Sequence, residues 1–236
     1  MEMIEFNWFD HIFAIFILIV IPALSVRSEK MSPDLIESLP PKKHLFYSNG
    51  LMLFIGALLV VTSWNISERP WSALGIEWIQ QNPIVWILSI TILIFYFGDI
   101  LYGYINKNYL KSRMDEMQYI IPVNWDEFKP YIFLAFSAGI CEEIVFRGFL
   151  ITYIFYYIGD MPYGQGIAMA IPALVFSLSH LYQGWWAVLK IFIIALLFGA
   201  IFIFSGSLIL VILIHIFIDL VSGLAGVMSY NSKLQD

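Results

Sequence analysis

The stretch YIFLAFSAGICEEIVFRGFLITYIFYYI, residues Tyr131–Ile158, decides the fold. It is an apolar run of 28 residues, longer than the roughly 20 residues of helix that cross a bilayer. Its only charged members are Glu142, Glu143 and Arg147. A charge at the centre of a membrane helix costs about 3 kcal/mol on insertion scales, so it faces a partner or a wet cavity. Reading outward, His180 closes the next apolar run, and His215 and Asp219 interrupt the last one, Ser207–Met228. Six ionisable residues in three neighbouring runs imply one shared polar site between helices.

Composition supports the same class. The chain has 236 residues, 60% hydrophobic, 17% aromatic and 13% charged, with a mean hydropathy of +0.81. Soluble domains are about 45–50% apolar and about 25% charged. The expectation is an all-α polytopic membrane bundle of about seven transmembrane helices, because the runs are too continuous for barrel strands. The net charge of −6 does not name a partner. The bilayer itself is one, and no nucleic-acid partner is expected. Cys141 is the single cysteine, which excludes an intrachain disulfide and a thiolate metal cluster. Residues 1–10 carry Glu2, Glu5 and Asp10 without a Lys or Arg, unlike a secretory n-region. The first run is therefore read as a retained span.

The runs are Trp8–Val26, Leu45–Trp64, Ile84–Ile105, Tyr131–Ile158, Tyr163–Leu181, Trp185–Phe204 and Ser207–Met228. They divide the chain into N-terminal helices and loops, 1–130, and a compact bundle, 131–228, whose short connections make its helices antiparallel neighbours. Arg27, Lys30, Lys42 and Lys43 lie in the first loop, and Lys107, Lys111, Arg113 and Lys129 in the third. The second loop has Arg69 alone, beside Trp71 and Trp78, which read as interfacial anchors. The positive-inside rule puts the N-terminus outside and the C-terminal tail, with Lys233, in the cytoplasm.

Glu143 and Arg147 are one turn apart and share a helix face. Glu142 lies about 100° round. Arg147 is therefore expected to hold Glu143 as a fixed ion pair, leaving Glu142 free to titrate as a general base or acid. The same pair would also serve simply to lock two helices. His215 and Asp219 repeat the spacing. The carboxylate could fix the imidazole tautomer, bind an oxyanion if protonated, or merely bridge helices. At about 1.5 Å per residue, Glu142 lies about 16 Å from Tyr131, and Asp219 about 14 Å from Met228. His180 comes out shallower by roughly two turns, unless its helix continues or its end dips into the membrane; Pro172 could kink it.

Glu142-Glu143-x-x-x-Arg147, then Phe176-x-x-x-His180, then His215-x-x-x-Asp219 resembles the CPBP (Abi) family of CAAX proteases and bacteriocin-processing enzymes. Ala138-Gly139 before the glutamates and Ser205-Gly206-Ser207-Leu208 before the last histidine agree with that pattern, and the resemblance covers about residues 125–226. It implies a glutamic-type intramembrane endopeptidase acting on membrane-embedded or lipid-anchored peptides or proteins at the cytoplasmic side of a cell membrane. Carried over, Glu142 and His180 activate water. His215 and Asp219 stabilise the oxyanion, and Glu143 and Arg147 support them. Within that resemblance, eukaryotic CAAX-processing members have asparagine where this chain has Asp219. Many bacterial relatives carry aspartate, which favours a bacterial plasma-membrane subgroup and weakens the donor role, since an ionised aspartate has no proton to give. The glutamate-activated water needs no cofactor and is the favoured reading. Zinc held by the two histidines with Glu and Asp stays open. The alternative is a non-catalytic scaffold or bacteriocin-immunity protein of the same fold.

Overall fold

The structure is a computed structural model that describes residues 4–28, 39–117 and 120–233. Every regular element among these residues is helical. The first apolar run is a helix in three parts: α1 (Trp8–Ile15), a π segment (Phe16–Val20) and α2 (Ile21–Ser28). Asn7 caps α1, and Asp10 reaches back to the Asn7 amide to complete a capping box. Then come α3 (Lys42–Ile66), α4 (Pro83–Ile105) and α5 (Lys107–Met117). The motif helix is α6 (Trp125–Glu142), a π segment (Glu143–Ile151) and α7 (Thr152–Ile158). The chain ends with α8 (Gly164–Leu178), α9 (Trp185–Ser205) and α10 (Ile209–Lys233). Lys30 and most of the first loop lie outside the described residues.

Five helical stretches are long and apolar enough to cross a membrane: Trp8–Arg27, Lys42–Ile66, Pro83–Ile105, Trp185–Ser205 and Ile209–Tyr230. The other two expected runs differ in instructive ways. The Tyr131–Ile158 run belongs to a rod that begins earlier, at Trp125, because Asn124 caps a polar first turn containing Asp126 and Glu127. Hydropathy registers only the apolar part of that helix. The Tyr163–Leu181 run is the 15-residue α8, about 22 Å long at about 1.5 Å per residue, against a hydrocarbon layer of about 30 Å. It runs on through Pro172 and stops short.

The rod is the wall shared by two apolar cores. Phe149 and Leu150 join Trp64 of α3 and Ala168, Ala173 and Phe176 of α8 in one core. Ile151 joins Val85 and Ile92 of α4, Phe198 and Ile201 of α9, and Val211 and Ile214 of α10 in the other. Two glycines set how closely the rod is approached. A Cβ on Gly139 would lie 2.4 Å from Ile216 Cγ1 and 3.0 Å from the Ile216 amide of α10. A Cβ on Gly148 would lie 2.8 Å from the Leu74 carbonyl. Leu74 belongs to the second loop, which packs into the bundle end: Leu208 donates to the Gly75 carbonyl and Ser207 to that of Glu77. Trp78 of the same loop stays exposed.

Candidate active site

The rod widens from α to π geometry where the motif begins. Single-turn π bulges recur at functional sites; here the segment spans nine residues. Within it Arg147 Nη1 donates to Glu143 Oε1 at 2.8 Å, with both side chains almost wholly buried. The guanidinium lies over the Phe176 and Phe198 rings, 4.7 and 5.2 Å from their centroids. Glu142, one residue earlier, leaves this pair alone and faces α10.

Close approach at Gly139 brings His215 against both glutamates. His215 Nδ1 donates to Glu143 Oε1 at 2.7 Å. Its Nε2 is 3.8 Å from Glu142 Oε2 and 3.7 Å from Asp219 Oδ2. One imidazole thus has a carboxylate oxygen bonded at Nδ1 and two more facing Nε2. The partner that fixes its tautomer is Glu143, 72 positions away, and not Asp219 one turn along. Asp219 lies beside the free nitrogen instead. Tyr131 of the rod ties the backbone here by donating to the Asp219 carbonyl, and Tyr96 of α4 does the same at Ile218.

His180 arrives by the short helix. It follows the C-terminal end of α8, and its Nδ1 donates to the Phe176 carbonyl at 2.8 Å, leaving Nε2 as an acceptor. Its ring centroid is 4.7 Å from that of Phe176, and the Phe176 ring is 6.3 Å from His215. Both imidazoles therefore border one phenyl ring. The difference in depth that a full-length span would impose is removed by the 15-residue length of α8.

Two atoms of the core pair, Glu143 Oε2 and Arg147 Nη2, are buried without a hydrogen bond among the described residues. Such atoms cost about 1–3 kcal/mol each. Phe176 and Phe198, which face Arg147, were not foreseen as site residues, although Phe176 is part of a quoted motif. Among the described residues no three His, Cys, Asp or Glu side chains are grouped to hold a metal ion. His215 and His180 each spend Nδ1, on Glu143 and on the Phe176 carbonyl, and keep Nε2 free, which is also how metal-binding histidines are held.

Residues 124–221 match the family model described as type II CAAX prenyl endopeptidase Rce1-like. The matched segment starts at the cap of α6 and takes in all six residues of the polar cluster. No curated protein and no solved structure matches the chain.

Proposed function

We propose that the chain is an intramembrane endopeptidase, a reading supported by the match of residues 124–221 to the Rce1-like type II CAAX prenyl endopeptidase model. Its substrates are membrane-embedded or lipid-anchored peptides or proteins. The observation that carries the reading is the convergence of Glu142, Glu143 and Asp219 on one histidine, His215, inside the bundle.

In this mechanism the Glu142 carboxylate takes a proton from a water that the free His180 Nε2 orients. The water oxygen attacks the scissile carbonyl carbon, and the carbonyl π pair moves onto oxygen. His215, carried as an imidazolium among three carboxylates and held at Nδ1 by Glu143, turns Nε2–H toward that oxyanion. Arg147 fixes Glu143, and Asp219 flanks the imidazole. Collapse re-forms the carbonyl and breaks the C–N bond, and the amine leaves with the proton that Glu142 had taken. Low dielectric strengthens each of these contacts at the reacting centre. No step runs through a metal, so a zinc chelator is expected to leave cleavage unchanged.

The chain is a multi-pass membrane protein. We assign it to a bacterial plasma membrane with the N-terminus outside and the C-terminus cytoplasmic, an orientation that puts the His180 end of α8 toward the cytoplasm. The experiment compares peptide termini by mass spectrometry in native-host membranes carrying wild-type protein or Glu142→Gln. New termini are expected only with wild type, with cleavage in the variant reduced about 10²–10⁴-fold, the usual share of a general base. Identical termini from a folded variant would sink the proposal and favour a scaffold.

A further inference from the structure

Tyr182 has no part in the motifs, yet its ring, 44% exposed, stands beside His180 of the polar cluster. It belongs to the short 3-10 turn Leu181–Gln183 that joins α8 to α9. Leu181, 1% exposed, anchors that turn in the protein, while Trp185 and Trp186 just beyond it are exposed in the manner of interfacial anchors. Gly184, with φ of +89°, lets the chain swing into α9. The Tyr182 ring lies over His180, with centroids 5.9 Å apart and planes at 29°. Gln183 Nε2 donates to the Tyr182 hydroxyl oxygen at 3.2 Å. With that lone pair engaged, the O–H proton is left to point elsewhere, and the hydroxyl lies within electrostatic reach of the Glu142 and Asp219 carboxylates.

We infer that the Tyr182 hydroxyl is a further catalytic group of this site, a donor to the tetrahedral oxyanion. The inference rests on the proteolytic reading above. A carbonyl bound beside His215 Nε2 meets one donor there, because an ionised Asp219 offers only acceptors. Oxyanion sites work with two or more donors aimed at the developing charge, and Tyr182 supplies the second. As water adds and its proton passes to Glu142, the carbonyl oxygen gains the displaced electron pair and accepts hydrogen bonds from His215 Nε2–H and Tyr182 O–H. Neither proton is transferred. Both bonds relax when the C–N bond breaks. A phenol ordinarily titrates at about 10, so the proton stays on Tyr182 throughout the working range.

The test uses full-length protein in liposomes and, as probe, the peptide spanning the most abundant terminus made only by wild type. Tyr182→Phe keeps the ring on His180 and removes one hydroxyl. Its kcat is expected to fall about 10²–10³-fold, as when a single oxyanion donor is lost, with KM and the acidic limb of the pH profile unmoved. Tyr182→Leu should fall no further in kcat. Full activity in Tyr182→Phe with loss in Tyr182→Leu would make the ring a shield and overturn the inference, as would a change in KM alone. Gln183→Leu, which frees the hydroxyl to turn, is expected to lose kcat in the same direction and less. It carries the test should Tyr182→Phe fail to fold, and no change in it would then overturn the inference. Absence of any wild-type-only terminus sinks the proteolytic reading first, and this one with it.

Discussion

Two buried arginine–carboxylate pairs stand at different heights of the bundle, and their surroundings differ in one respect. Beside the cap of α1, Arg69 and Asp10 are each 2% exposed at the side chain. Arg69 engages both Asp10 oxygens, the Ser67 hydroxyl and the Glu5 carbonyl, and lies over the Phe6 and Trp64 rings. Asp10 also accepts from Ser63 and from the Asn7 amide. Every strong donor and acceptor has an answer. In the rod, Arg147 and Glu143 are as deeply buried, at 2% and 0%, yet share one hydrogen bond and leave Glu143 Oε2 and Arg147 Nη2 unbonded. The oxygen that is used is also lent to His215. A saturated pair closes on itself and fixes the fold. An unsaturated pair that shares its carboxylate passes its influence to a neighbour.

Removing one partner separates neither case, since an abandoned buried charge costs about 3–5 kcal/mol wherever it lies. Arg69→Met and Arg147→Met are both expected to lose that much in thermal or denaturant unfolding. Replacing both partners does separate them. Asp10→Leu with Arg69→Met should recover most of the stability, as apolar replacements of buried pairs often do, and should retain cleavage. Glu143→Leu with Arg147→Met should recover stability and remain inactive, because His215 has lost the acceptor at Nδ1. If the second double variant cleaves like wild type, Glu143 is a lock and nothing more.

The two pairs were not equally legible in the sequence. Glu143 and Arg147 are four apart on one helix, and periodicity alone joins them. Arg69 and Asp10 are 59 residues apart. Asp10 reads as part of an acidic flank and Arg69 as the lone base of a loop, so nothing local pairs them. The same limit hid the bond from His215 to Glu143. Helical spacing offered Asp219, whereas the partner came from another helix through the close contact at Gly139. The shared site was legible because ionisable residues stand out in apolar runs. The length of α8 was not, because the apolar run carries on to Leu181, past Leu178 where the α-helix gives way to a tighter turn. Nor does composition signal the π segment.

Gly139 sharpens the contrast at the level of backbone approach. In Gly139→Ala the new methyl meets α10 at 2.4 Å from an Ile216 side-chain carbon and 3.0 Å from its amide. Overpacking of this kind costs about 1–3 kcal/mol, and it wedges apart the helices that carry Glu143 and His215, so cleavage should fall with stability. Gly98→Ala on α4 is the control. Nothing lies within 4 Å of its new Cβ, and an alanine within a helix gains about 0.5–1 kcal/mol over glycine. Equal activity in the two variants would show that the α6–α10 spacing is not what aligns the site.

A third charged group gives the smallest effect. Lys190 of α9 contacts both Asp99 of α4 and the Tyr109 hydroxyl of α5, which draws the loop helix α5 onto two bundle helices. Here the side chains are 26% and 32% exposed, so solvent and headgroups compete for the same charges. Partly exposed pairs contribute about 1 kcal/mol or less. Lys190→Met should therefore lower stability by no more than that and leave the cleavage rate unchanged, because neither Asp99 nor Tyr109 bonds to any residue of the His215 cluster. A large loss of activity with stability intact would mean that the docking of α5 reaches the site by another route. The order among the three groups would then follow connection to His215, where burial and saturation now rank them.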